Sequence, residues 1–257
     1  MNLFDLKGKT VLITGGYGYL GGAMATGLSQ YQANVCVLAR SESKFREAFG
    51  SDADQFSFIP CDIADATSIK SAVTIAAENH GSIDVLINNA MYCRGNDPLG
   101  ISDEDWEFSV DGVINSVYRC IREVAPIMKQ QASGSIINIS SMYGIVAPDF
   151  AAYENAPSSL NPPHYGAGKA AVIQMTKYYA QLLGPQNVRV NCISPGPFPN
   201  PDTQRNQSFI SALGERTSLG RIGRPEELVG AAVYLASHAS SYVTGQNLVV
   251  DGGWTVT

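Results

Sequence analysis

The segment Val11-Leu12-Ile13-Thr14-Gly15-Gly16 restricts the possible folds more than any other. A short β-branched run ends on glycines, and small residues at helical spacing follow over 20–28. It reads as strand, tight turn, helix. The same alternation continues along the chain. Strands are expected over 34–39, 55–60, 83–88, 135–140, 188–193 and 247–250. Helices are expected over 43–49, 66–80, 165–183 and 225–237, and 103–130 is long enough for one helix or two. Such alternation predicts right-handed crossovers and an α/β fold: a doubly wound, mostly parallel sheet with helices on both faces.

Composition agrees. Hydrophobic residues make up 45% of the 257 and charged residues 16%, as suits a sheet buried on both sides. No linker, low-complexity tract or internal repeat interrupts the pattern, so 1–257 is expected to be one domain. Two proline-rich irregular stretches, 147–164 and 195–220, are long enough to be substrate loops. A net charge of -6 argues against nucleic acid or an anionic membrane surface as partner and leaves a small molecule. Five scattered cysteines without Cys-x-x-Cys spacing suggest buried thiols, with neither a disulfide framework nor a metal site. No basic-then-apolar leader and no apolar run of about 18 residues is evident, so the expected location is cytoplasmic.

After the first strand, Thr14, Gly15, Tyr17, Gly18, Tyr19 and Leu20 form a turn whose backbone N–H groups and helix N-terminus suit a diphosphate. The second strand ends Ala39-Arg40-Ser41. It lacks the acid that would bond an adenosine 2′-hydroxyl, whereas a guanidinium suits a 2′-phosphate. NADP(H) is therefore favoured over NAD(H); alternatively Arg40 is a solvated loop residue and the preference is set elsewhere.

Taken in order, Thr14-Gly15, Cys61-Asp62, Asn88-Asn89-Ala90, Ser140-Ser141, Tyr165-x-x-x-Lys169, Asn191 with Pro195-Gly196, Gly223-Arg224-Pro225-Glu226-Glu227 and Asp251-Gly252-Gly253 resemble the short-chain dehydrogenase/reductase family over essentially the full length. The resemblance implies a single Rossmann-like domain, a nicotinamide cofactor, reversible reduction of a ketone to a secondary alcohol, and a homo-oligomer, tetramer or dimer. It further implies that Asp62 and Ile63 lie by the adenine and Asn88, Asn89 and Ala90 near the ribose. Pro195 and Gly196 would lie beside the nicotinamide, and Ser141, Tyr165 and Lys169 would be catalytic.

The chemistry of that trio can be argued from the residues. Reducing a carbonyl builds an alkoxide that needs a proton, and the reverse reaction needs it removed. A free tyrosine titrates near about 10, and an ammonium close by favours its phenolate. Residues four apart on a helix share a face, so Lys169 can stand by Tyr165 and also reach the nicotinamide ribose. Ser141, at a strand end, can bond the same substrate oxygen.

Departures from the family pattern are specific. Tyr19 stands where its middle glycine is expected, and Met91 replaces a glycine after Ala90. Val113 stands where a relay asparagine belongs; Asn115, two residues on, is on the wrong face to replace it. The segment between Ser141 and Tyr165 is longer than usual by roughly ten residues. Its Asp149, Tyr153, Glu154, Asn155, Asn161 and His164 could bond hydroxyl groups of a sugar-like substrate, or form a surface excursion or subunit contact, with His164 structural. Tyr143 and Tyr153 are expected as wall or lid residues. Two other functions fit the sequence: a cofactor-binding regulator without turnover, and a non-redox lyase or epimerase with a held nicotinamide.

Overall fold

Seven apolar runs pair side by side in a computed structural model that describes residues 2–154 and 156–256. They are β1 (Thr10–Thr14), β2 (Asn34–Ala39), β3 (Ser57–Pro60), β4 (Val85–Asn88), β5 (Gly134–Ile139), β6 (Val188–Pro195) and β7 (Asn247–Val250). All pairings are parallel, in the order β3-β2-β1-β4-β5-β6-β7. The chain winds outward through β2 and β3, then returns to place β4 beside β1. That reversal opens a crevice at the carboxyl ends of β1 and β4, where doubly wound sheets bind ligands.

Alternate residues of each strand feed opposite layers, because side chains on a strand point to opposite faces. Leu12, Leu86 and Ile136 pack under α3 (Ala66–His80), α5 (Ser116–Gln131) and α6 (Pro163–Leu183) through Ile69, Ile121 and Val172. Ile13, Ile87 and Ile137 meet α1 (Tyr19–Gln30), α2 (Glu42–Phe49) and α8 (Val229–Ala236) through Met24, Phe45 and Val233. No helix among the described residues is long and apolar enough to cross a membrane.

Two elements differ from expectation. The stretch over 103–130 is broken: α4 (Asp103–Val110) runs into a π-helical turn at Asp111–Asn115 before α5 begins. Such a turn inserts one extra residue per hydrogen-bonded loop, which helical periodicity does not reveal, and it commonly marks a functional site. The stretch over 195–220 is only partly irregular, since it contains α7 (Gln207–Glu215), capped by the Asn206 side chain. Phe209 and Leu213 of α7 pack with Tyr143, Tyr153 and Trp254 in a third, smaller cluster.

A buried polar chain fixes α6 to the sheet. The Asn88 amide donates to Asn138 Oδ1 at 2.8 Å, Asn138 donates to the Thr176 hydroxyl at 2.9 Å, and Thr176 donates to the Val172 carbonyl at 2.9 Å. Asn88 Oδ1 is buried without a partner, so its amide depends on Asn138. Asn138→Leu is expected to cost about 1–3 kcal/mol in urea unfolding by stranding that amide. Adding Asn88→Leu should return part of the loss; a double variant weaker than the single one would refute the dependence.

Candidate active site

The glycine turn is braced from behind. Thr14 is 1% exposed, and its hydroxyl accepts from the backbone N–H groups of Asn89 and Ala90, each at 3.0 Å. The Asn89 amide donates to the carbonyls of Thr14 at 3.0 Å and Gly15 at 3.3 Å. The Thr14 hydroxyl thus ties the ends of β1 and β4 together and faces away from the cavity in front. Asn88 likewise lies inside the sheet on Asn138, away from the place that the resemblance implied.

That cavity, about 360 Å³, is walled by Gly15, Tyr17, Gly18, Tyr19 and Leu20 on one side and by Arg40, Asp62, Ile63, Asn89 and Ala90 on the others. Gly15 holds φ at +63°, and a Cβ on Gly21 would lie 2.3 Å from the Gly15 carbonyl oxygen, so only glycines allow this approach. No acid occupies the first turn of α1, whose unpaired N–H groups favour an anion. The residues therefore fit the diphosphate and adenosine of a dinucleotide.

Leu20 also borders a second cavity of about 380 Å³, which holds Ser141, Tyr165, Pro195 and Gly196. Ser141 leaves β5 in extended conformation and its hydroxyl accepts from Tyr143 N at 3.1 Å. Burial pushes the Tyr165 phenol up, while its hydrogen bond with Ser141 works in the opposite direction. Lys169 lies four residues on along α6, with Nζ 5.7 Å from the centre of the Tyr165 ring, and is 4% exposed. Its ammonium donates to the Ile139 carbonyl at 2.8 Å, and burial lowers its pKa to about 8. The structure thus brings Ser141 and Tyr165 to one cavity wall, with the buried Lys169 ammonium beside the tyrosine ring rather than on the wall.

A family model described as enoyl-(acyl carrier protein) reductase matches residues 19–255. The chain belongs to the short-chain dehydrogenase/reductase family. It is 36% identical over 259 residues to the 3-oxoacyl-[acyl-carrier-protein] reductase of Thermotoga maritima, covering 98% of this chain and 99% of the relative. Identity to the gluconate 5-dehydrogenase of Gluconobacter oxydans is 35% over 262 residues, covering 100% and 98%. A solved short-chain dehydrogenase from Leptospira borgpetersenii with bound NAD+ superposes with a TM-score of 0.87 at 32% identity, covering 99% of this chain and 96% of that one. As a short-chain dehydrogenase/reductase, the protein is an oxidoreductase that acts on CH–OH or C=O groups with NAD(P).

Against that family pattern, Val113 falls inside the π-helical turn, 1% exposed. A Cβ on Gly168 would come within 2.7 Å of its Cγ1, so the two backbones lie close beside Lys169. Asn115 is exposed and donates to Asp111 Oδ1 at 2.9 Å, away from the lysine. Met91 lines the adenosine-side cavity together with Tyr92.

Of the polar residues in the extended segment, Tyr153 and Asn161 reach the second cavity, joined by Ser158 and Ser159. Asp149 instead caps Ala151 and pairs with Arg216 at 2.6 Å, and Glu154 is exposed. His164 is fully buried edge-on to Trp106, with centroids 5.8 Å apart, and neither ring nitrogen has a partner. Asn155 lies outside the described residues. Tyr143 and Tyr153 share a short hydroxyl–hydroxyl bond, and burial raises both. They are neutral hydrogen-bonding groups.

Sequence reasoning missed Asn200, Thr203 and Phe198, which come to the cavity from the 195–220 stretch, and Cys93, expected as a buried thiol but exposed and within electrostatic reach of Tyr165 and Lys169. The run following Asn88-Asn89-Ala90 was a usable signal for Cys93; the loop residues carried none.

The lysine gives a pH prediction. With its pKa lowered to about 8, the ammonium is present below that value and lost above it. Reductive kcat/KM should be level up to about pH 8 and fall by about tenfold per unit beyond, as for loss of one required proton. A profile flat through pH 10 would contradict this role for the charge.

Proposed function

We propose that the protein interconverts a ketone and a secondary alcohol on a neutral, polyhydroxylated, sugar-like substrate, with NADP(H) favoured over NAD(H). The observation that carries this reading is the wall of the second cavity. Tyr153, Ser158, Ser159 and Asn161 from the extended segment, with Asn200 and Thr203 opposite, offer hydroxyl and amide groups, and no described residue lining it is charged. Such groups satisfy substrate hydroxyls. A carboxylate substrate would find no cation among them. The relative named gluconate 5-dehydrogenase supports the polyhydroxylated character alone, since gluconate itself carries a carboxylate.

Ser141 donates to the substrate oxygen and Tyr165 exchanges its proton with that oxygen, while the Lys169 charge steadies the phenolate. The bound nicotinamide supplies or takes the hydride. An assembled trio favours turnover over a purely regulatory role. Tyr165→Phe is expected to lower kcat by about 10²–10⁴ while fluorescence titration still detects cofactor binding. Unchanged turnover would remove the mechanism. A panel of ketoses, polyols, sugar acids and 3-oxoacyl thioesters tests the substrate class: preference for a charged acid or a thioester overturns it.

Arg40 carries the cofactor preference. It lines the adenosine-side cavity, and the nearby Glu42 is paired with Arg46 instead. Arg40→Asp should weaken NADP(H) binding by about 10–100-fold, as expected for a charged hydrogen bond, and NAD(H) binding far less. Equal losses would refute the assignment. The exposed Tyr178 and Leu182 on α6, 65% and 52% exposed, support a homo-oligomer, dimer or tetramer, which light scattering would count.

A further inference from the structure

Tyr19 is the first residue of α1, at the place of the family's middle glycine, and borders the adenosine-side cavity. Its hydroxyl accepts a hydrogen bond of 3.0 Å from Gln204 Nε2, a residue 185 positions away in the substrate loop. The same amide nitrogen donates to the Pro199 carbonyl at 2.8 Å, so both of its hydrogens are used, one across the cleft and one within the loop.

Gln204 is itself held in position. Its backbone N–H donates to the Asn200 carbonyl at 3.0 Å, Thr203 N donates to Asn200 Oδ1 at 2.9 Å, and the Gln207 amide donates to the Gln204 carbonyl at 2.9 Å. A short 3-10 turn, Thr203–Arg205, therefore presents the side chain. The two cavities meet at Leu20; Tyr19 stands on the rim of one, and Asn200 and Thr203 on the rim of the other. The Tyr19–Gln204 bond thus crosses the junction where the diphosphate of a dinucleotide spanning both cavities would lie.

We propose that Tyr19 and Gln204 form a latch that closes the 197–206 loop over the bound nicotinamide cofactor and slows its release. A glycine at position 19 could not make this bond, so the latch belongs to this chain's own departure from the family pattern. Both residues act by positioning the loop. The cofactor leaves only after the bond between them breaks, so its loss acts on dissociation more than on association.

The test is release of the reduced cofactor, followed by stopped-flow fluorescence without substrate. Tyr19→Phe, which keeps the ring and loses the hydroxyl, should speed dissociation by about 3–10-fold, the range for one neutral hydrogen bond. Gln204→Met should do at least as much, and the double variant should add nothing beyond Gln204→Met alone, because both remove one interaction. Hydrogen exchange over 197–206 in the cofactor-free protein should rise in Tyr19→Phe. Arg205→Ala, which removes only an exposed pair with Asp202, should leave release as in the parent. A Tyr19→Phe dissociation rate equal to the parent's, fold-changes that multiply in the double variant, or equal acceleration in Arg205→Ala would each overturn the latch. Failure of the parent protein to bind either cofactor would overturn the assignment of the cleft and the latch with it.

Discussion

The candidate chemistry depends on how α6 is held against the end of β5. Two hydrogen bonds from consecutive residues make the attachment: the Ser140 hydroxyl donates to the Lys169 carbonyl at 2.7 Å, and the Lys169 ammonium donates to the Ile139 carbonyl at 2.8 Å. A buried ammonium is costly unless hydrogen-bonded. Here one of its three hydrogens is fixed on the sheet, which sets where the charge sits relative to Tyr165. With little water around it, that charge acts on the phenol more strongly than it would at the surface. The close approach needs small residues. A Cβ on Gly144 would lie 2.7 Å from the Lys169 carbonyl carbon, and one on Gly168 would strike Val113.

The π-helical turn links this catalytic wall to the adenosine side. Asp111, its first residue, is bridged by Arg119, with contacts of 2.5 and 3.0 Å, and receives the Tyr92 hydroxyl. The guanidinium holds the Asp111 carboxyl down at about 2, and burial, helped by the Asp111 carboxylate, pushes the Tyr92 phenol up to about 12. Arg119 also reaches the Ile63 carbonyl at 3.5 Å. Tyr92 and Ile63 both line the adenosine-side cavity. A shift of either would therefore be felt by the turn that carries Val113, through groups whose charges are fixed across the physiological range.

The strand–helix alternation was legible because parallel strands covered by helices read as short, largely apolar runs, and all seven runs were visible. The glycine turn and the Tyr165–Lys169 spacing were legible for a similar reason: close backbone approach and a shared helical face each demand particular residues at particular intervals. What stayed hidden depends on contacts distant in sequence. Nothing in Pro199–Thr203 announces that Gln204 will meet Tyr19. The π-helical turn adds a residue that a period of 3.6 absorbs without trace. Helix α7 buries only Phe209, Leu213 and Gly214 and sits among prolines and polar residues, so its apolar stripe is too short to stand out. The extended segment showed its polarity but not its direction: Asp149 found Arg216, whereas Tyr153 and Asn161 turned inward.

Two of the departures from the family pattern, Tyr19 and Val113, follow one physical rule. Tyr19 replaces a glycine and its hydroxyl is met by Gln204. Met91 replaces another and lines the adenosine-side cavity, while its neighbour Tyr92 lies against Gly112 of the π-helical turn, where a Cβ would come within 2.0 Å of the Tyr92 carbonyl oxygen. Val113 replaces a polar residue and is packed against Gly168 on α6, again a position without a side chain. Tyr19 and Val113 are each matched by a partner that bonds it or makes room for it. At Tyr19 a hydroxyl finds a donor and at Val113 an apolar side chain packs against a glycine, so neither departure leaves a polar atom stranded beside the site.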